Sequence, residues 1–276
     1  MEFDEDLAAI HAYLCADGYV IKNPPSQKHK YYHIGLRNTN YVLLEDFQKR
    51  FYRYFGITPI IKFGRAKIQN KLIYEKLTER YTYYSDKWNM PKLNKKYLSY
   101  WLRAYFDCDG WVYVLKAKNR KISLDSINHT GLLEIQNSLF KTFLIKSIIK
   151  KRKNRHIWSL SIFGKDNIER FAKNIGFLHP KKKKKLNEAI LSYVDYNWLI
   201  PENKPALIKF IKTRGRLSKK RGQVRFNSIL KTNLSRFKSI LNKFGTKSII
   251  SKKFFNGNKN GYYTLSIKLN DIDKWR

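Results

Sequence analysis

Two short stretches carry residues that could do chemistry. IHAYLCADGYV, residues 10–20, and LRAYFDCDGWV, residues 102–112, each run from an apolar helical pattern into Asp-Gly. Aligned on that pair, both begin Ala-Tyr five residues before the acid; Asp17 matches Asp109, and Cys15 stands opposite Asp107. A carboxylate at a helix C-terminus opposes the macrodipole, and burying it unpaired is costly. Two such acids side by side also repel each other. The arrangement is hard to justify as structure and natural for holding a divalent cation through oxygens. Mg²⁺ held by one or two carboxylates, together with substrate phosphates, is a common way to cleave phosphodiesters. An EF-hand reading of DCDG fails: with Gly110 at loop position six, position one is Tyr105 and position twelve is Lys116.

Something must bring the two acids together, and the chain repeats itself in a way that can. FGITPII (55–61), FLIKSII (143–149) and FGTKSII (244–250) are three versions of one phrase. Each follows an amphipathic helical pattern, and each helix is preceded by a strand-like run: YHIGLRN, ISLDSIN and VRFNSIL. Each unit reads helix, two strands, helix, two strands and a final helix. The first copy is least clear between about residues 62 and 86, and the third stops shortly after its last strand. Pro-containing polar breaks at 89–96 and 199–205 divide the chain into repeats at 1–90, 91–199 and 200–276. Small residues on one face, Ala12, Ala16, Ala104 and Cys108, let the first two motif helices pack closely about a pseudo-two-fold axis. Gly18 and Gly110 let each chain turn sharply out of its helix. In the third unit Arg214 stands where the other two have Asp, so that unit cannot bind a metal in the same way.

The formal charge is +36, from 57 Lys and Arg against 21 Asp and Glu, while 43% of residues are hydrophobic. A globular chain with this charge implies a polyanionic partner, nucleic acid before membrane. No run reaches the ~18 apolar residues a membrane span needs. Two cysteines rule out a disulfide framework or a CxxC-paired zinc site, and six histidines form no ligand cluster. A cytoplasmic location is expected. The segment KTRGRLSKKRGQVR (212–225) carries seven Lys and Arg and no acid, which suits a phosphate-tracking surface.

IHAYLCADG and LRAYFDCDG resemble the paired motifs of the LAGLIDADG homing endonucleases in their single-chain form. The resemblance covers roughly residues 5–195, including MPKLNKKYLSYWLRAYFDCDG before the second motif and FAKNIGFLHPKKKKKL after it. It implies an α+β fold: tandem αββαββα repeats with pseudo-two-fold symmetry and saddle-shaped antiparallel sheets, here with a third, degenerate α/β repeat. It implies Mg²⁺-dependent double-strand cleavage of a long DNA target, with Mn²⁺ as a substitute. The last Asp of each motif is the family's metal ligand, which carries over to Asp17 and Asp109, with the carbonyls of Ala16 and Cys108 as helpers. Polar and basic residues around the metals carry over to the ends of the first strands, Arg37 and Asn38 in one half, Ser126 and Asn128 in the other. Lys165 is a further phosphate-facing candidate.

DNA contacts are expected from strand faces and hairpins: Lys22, Lys28, Lys30, Arg37, Lys62, Arg65, Lys116, Lys118, Arg120, Lys121, Lys150, Lys151 and Arg152. In the third unit they are expected from Arg214, Arg216, Lys219, Lys220 and Arg221. The run Lys181 to Lys185 reads as a solvated face. The chain opens on MEFDED and closes on DKWR, without the terminal blocks of an intein, so a free-standing, monomeric enzyme is expected. The alternative is a non-cleaving DNA- or RNA-binding protein on the same scaffold, an intron RNA maturase or a regulator.

Overall fold

The computed structural model describes residues 1–29, 31–115, 119–153, 155–193, 196–218, 221–255 and 258–273. The chain divides into two units, Met1–Tyr193 and Val194–Arg276. The first half of the first unit runs α1 (Glu5–Ala16), β1 (Gly18–Lys22), β2 (Tyr32–Arg37), α2 (Tyr41–Phe55), β3 (Ile60–Lys62), β4 (Arg65–Gln69) and α3 (Lys71–Thr78). The second half repeats the series: α4 (Lys95–Asp109), β5 (Gly110–Leu115), β6 (Asn119–Ser126), α5 (His129–Phe143), β7 (Ser147–Lys151), β8 (Trp158–Phe163) and α6 (Lys165–Asn174). It then adds α7 (Pro180–Leu191). The second unit holds α8 (Lys204–Arg214), β9 (Arg216–Ser218), β10 (Gln223–Ser228), α9 (Lys231–Lys243), β11 (Ser248–Phe255), β12 (Asn258–Lys268) and the short α10 (Leu269–Asp273).

Each series builds one four-stranded antiparallel sheet, in the orders β1-β2-β4-β3, β5-β6-β8-β7 and β9-β10-β12-β11. The same strand order three times over is the expected α+β repeat with its additional copy. The obscure stretch of the first copy resolves into β3, β4 and α3. Its strands are too short for alternation to show, and Phe63-Gly64 turns between them with both residues at positive φ.

Helices α1 and α4 pack against each other at the centre of the first unit. Asp4 caps α1 by accepting from the amides of Asp6 and Leu7, and Asn94 caps α4 through Tyr97. Every residue of α1 from Asp6 to Cys15 is buried, so the helix has no polar face and its sequence shows little amphipathic contrast. Even Asp6 is enclosed, its carboxylate meeting Arg50 at 2.8 Å and Arg53 at 2.6 Å. Ala8, Ala9, Ala12 and Ala104 are all buried in this core. The second unit has its own core around Trp198, Phe226, Phe237 and Leu265.

The glycines that follow the three motif helices are needed for space. Gly110 and Gly215 have ordinary extended backbone, φ −79° and −73°. A Cβ on Gly18 would overlap the backbone of Leu14; on Gly110 or Gly215 it would overlap the carbonyl of Phe106 or Ile211. The strand leaves directly across the last turn of its helix, so the glycine is required there for close approach and not for a left-handed backbone.

His11, 1% exposed, lies between α1 and α4, its Nδ1 accepting from the Trp101 indole at 3.1 Å. Cys15, Phe3, Tyr81 and Tyr83 surround the ring. Burial lowers its pKa to about 3, so the folded chain holds it neutral. An unfolded histidine titrates near 6.5, so unfolding takes up a proton between these values and stability falls as pH drops below about 6.5. Asp107 and Asp109, raised to about 6 and about 7, tilt the balance the other way over part of this range. His11→Gln isolates the effect: relative to that variant, wild type should lose roughly 2 kcal/mol between pH 6.5 and 5, at ~1.4 kcal/mol per unit. Urea titrations at both pH values measure it; a pH-independent difference contradicts it.

Candidate metal centre and nucleic-acid interface

The end of α4 carries two carboxylates that the fold uses differently. Asp107, 1% exposed, accepts from the amide of Leu178 at 3.0 and 3.1 Å and from that of His179 at 2.9 Å. Burial raises its carboxyl to about 6, opposed by those two amides. Its work is to fix the segment that starts α7. From α7, Lys182 reaches back, donating from Nζ to the carbonyls of Asp107 at 2.7 Å, Cys108 at 3.0 Å and Phe106 at 3.3 Å. These are carbonyls that the end of α4 leaves without helical partners, at the negative end of its dipole. Burial draws Lys182 below the ordinary lysine range, while nearby acids including Asp107, Asp109 and Asp17 oppose the shift.

Asp109 is the second kind of carboxylate. Burial first, then the charge of Asp17, push it up to about 7. Tyr105 donates its hydroxyl to it. Asp17, at the end of α1, accepts from Asn38 Nδ2 at 2.7 Å, and its own carbonyl accepts from the amide of Arg37 at 3.1 Å. Asn38 is itself held by its amide to Gly64 at 3.0 Å and by Oδ1 accepting from Asn40 at 2.8 Å. The two helix ends meet through Cys108, whose thiol is hydrogen-bonded to Asp17. Burial, then the charges of Asp17 and Asp109, push that thiol well above its ordinary range, so it stays protonated. A cleft of about 610 Å³ opens here, walled by Asp17, Arg37, Asn38, Asp107, Cys108 and Lys182 among others, while Asp109 is not among the residues that line it.

The sheet register corrects one candidate. Gly18 pairs with Leu36 and Gly110 with Leu124, so Asn38 corresponds to Ser126, and Asn40 to Asn128. Asn128 is the N-cap of α5: it accepts from Gly131 at 2.9 Å and donates to the Trp88 carbonyl at 2.6 Å. It does not line the cleft, being a helix cap two residues past the strand end. Ser126 takes the site-side position, its hydroxyl bonded to that of Tyr105 and accepting from the amide of Asn128. Lys165 also lies off the cleft, at the start of α6, 3.9 Å from Glu169.

The same register sets Asp125 opposite Arg37. Asp125 pairs with Arg152 through Oδ2, while its buried Oδ1 has no partner among the described residues, and its charge acts on Asp109. Among the described residues no group of three or more His, Cys, Asp or Glu forms a ready cage for a metal. Two carboxylates and two helix-end carbonyls are hard donors. They fit Mg²⁺, which keeps waters and takes phosphate oxygens for the rest of its shell.

The cationic candidates lie mostly on exposed strand ends. Lys62 and Arg65 pair across β3 and β4; Lys22, Lys28, Lys150, Arg216 and Arg221 are exposed. Lys121 lies over Trp111 at 4.6 Å and Lys151 over Trp158 at 5.8 Å. Others also have partners within the protein, among them Arg120 with Ser192 and Tyr193, Arg152 with Asp125, and Arg214 over Trp198 and Phe210. Lys30, Lys116, Lys118, Lys219 and Lys220 lie outside the described residues.

Residues 96–176 match the family model of the LAGLIDADG-like domain. This stretch of the chain is similar to the LAGLIDADG-like domain. It takes in α4 with Asp107 and Asp109, the β5–β8 sheet and α6. Over 111 residues the chain is 30% identical to a replication factor C small subunit of Methanocaldococcus jannaschii, covering 38% of this chain and 6% of that protein's length. Among solved structures, one of mesophilic variants from the homing endonuclease I-DmoI is 16% identical, covers 67% of this chain and 100% of its own, with a TM-score of 0.48. The homing endonuclease I-WcaI bound to its DNA recognition sequence is 20% identical over 66% and 85%, at 0.45. Full-length DUF199/WhiA from Thermatoga maritima is 13% identical over 77% and 68%, at 0.48. Among the described residues no helix is long and apolar enough to cross a membrane.

Proposed function

We propose that this chain is a site-specific homing DNA endonuclease, hydrolysing phosphodiesters on both strands of a long duplex target with Mg²⁺, or Mn²⁺ in its place. One observation carries the reading: the ends of two repeat-related helices come together so that the charge of Asp17 acts on Asp109 and on the Cys108 thiol, beside a cleft that Asp17 and Cys108 line. Asp17 and Asp109 would hold the metal with the carbonyls of Ala16 and Cys108. When bound, the ion supplies Lewis-acid stabilisation of the phosphoryl oxygens. Asn38 fixes the orientation of the Asp17 carboxylate, and Tyr105 does the same for Asp109. Arg37, exposed at the cleft wall, is placed to meet a phosphate. The exposed lysines of the strand ends would track the backbone, which the charge of +36 favours. Residues 1–90 and 91–199 would form the two halves that address the two strands, with 200–276 as a nucleic-acid-binding extension. With both halves in one chain, the enzyme would act as a monomer, in the cytoplasm.

The second reading is a non-cleaving protein that binds DNA or intron RNA. The Lys182 ammonium on the Cys108 carbonyl favours it, because a fixed cation already occupies a metal-ligand oxygen. Exposing a randomised duplex library to the purified chain decides between them: Mg²⁺ should yield double-strand ends sharing one sequence, and EDTA none.

A further inference from the structure

The two helix ends are built alike and finished differently. At the end of α4, Lys182 Nζ sits 2.7–3.3 Å from three successive carbonyls. No side chain among the described residues makes the corresponding contact to the last carbonyls of α1. The difference traces to α7, which follows α6; α3, the corresponding helix of the first half, leads instead through residues 79–94 to α4. It is held in place by Asp107, whose counterpart in the first motif is Cys15, buried and facing His11. Lys182 lies within ion-pair distance of no carboxylate among the described residues, so its charge is spent on the helix end. Without it, the Asp109 carboxylate and the Cys108 carbonyl would both offer hard oxygens at the α4 end.

We propose that Lys182 is an internal competitor for the divalent cation at the Asp109 helix end, keeping metal off the Cys108 carbonyl until a bound phosphate draws the ammonium away. The inference rests on the metal-dependent reading of the cleft. A tethered ammonium on the ligand oxygen both blocks coordination and repels a second cation at close range. A DNA phosphate entering the cleft gives the ammonium an anion to move to, which frees the carbonyl and adds an oxygen for the metal. Metal and DNA then bind cooperatively at this half by the reciprocity of linked equilibria. Lys182 is a positioning residue here, acting through the carbonyl it covers.

Mn²⁺ binding to the free protein, read by electron paramagnetic resonance without DNA, tests the assignment. Lys182→Met should bind Mn²⁺ at least about tenfold more tightly than wild type, and adding Asp109→Asn should remove the gain. Lys182→Arg, which keeps a cation on the carbonyls, should match wild type. Should Lys182→Met fail to fold, Lys182→Gln carries the same comparison. Wild type and Lys182→Met binding alike, through sites the acid variants weaken, would overturn the role of Lys182 and leave the metal centre standing. Mn²⁺ binding that neither acid variant alters would overturn the metal centre itself, and the role of Lys182 with it.

Discussion

Asp109→Asn should abolish double-strand cleavage, lowering it on the order of 10³-fold, while raising the stability of the free protein. A Lewis-acid cation contributes several kcal/mol to a phosphoryl transition state, and each 1.36 kcal/mol is tenfold in rate. The amide keeps the shape of the carboxylate and its bond to Tyr105 but is a poor ligand for a hard cation. The stability change has the opposite sign for a structural reason. Burial, then the charge of Asp17, push the Asp109 carboxyl up to about 7. The carboxyl's pKa is raised on folding, so stability falls as pH rises from about 4 to about 7, and above that the full penalty of the buried charged form stands. A neutral amide escapes that penalty, so its Tm at pH 8 should exceed that of wild type. Strand-resolved cleavage of a labelled duplex beside a melting curve reads both effects. Wild-type cleavage, or a fall in Tm at pH 8, contradicts the assignment of Asp109 to function over structure.

Asp107→Ala should do the reverse and cost about 3 kcal/mol of stability. It removes the acceptor for three contacts from Leu178 and His179 and leaves two partly buried amides without partners. Asp107 itself is penalised by burial, its carboxyl raised to about 6, which keeps the loss below that of a fully satisfied buried ion pair. Asp107→Asn, retaining one acceptor oxygen, should cost about half as much. Urea unfolding measures the loss, and hydrogen exchange in α7 should quicken, because the segment carrying Lys182 is no longer pinned. A change within about 0.5 kcal/mol, the range of ordinary surface substitutions, contradicts the role given to Asp107.

These two substitutions separate what the sequence made legible from what it did not. Asp17 and Asp109 stand out because the same Asp-Gly ends the same kind of helix twice, and repetition marks a position that composition alone cannot. The three-fold strand order was legible for the same reason. Asp107 was not, because its partners are backbone amides 71 and 72 residues away, and no side-chain pattern announces them. Lys182 was hidden in a run of five lysines that reads as a solvated face; only the packing of α7 on α4 singles it out. Asn128 was misplaced by two residues. Asn recurs near both strand ends, and only the hairpin register makes Ser126 the equivalent of Asn38 and Asn128 that of Asn40. Asp125 escaped notice because its counterpart is Arg37, of opposite charge. The glycines were legible as requirements, but their reason, space against the helix backbone, needed coordinates.

The most direct test of the paired-acid centre is Mg²⁺-dependent cleavage at the sequence recovered from the duplex library, wild type beside Asp17→Asn. Wild type should cut both strands at that one sequence in Mg²⁺ and neither in EDTA, and Asp17→Asn should lose the double-strand break or retain only a nick. Tight, salt-sensitive binding of DNA or RNA with no cleavage under any divalent ion would contradict the endonuclease, and leave Asp17 and Asp109 as relics on a binding scaffold.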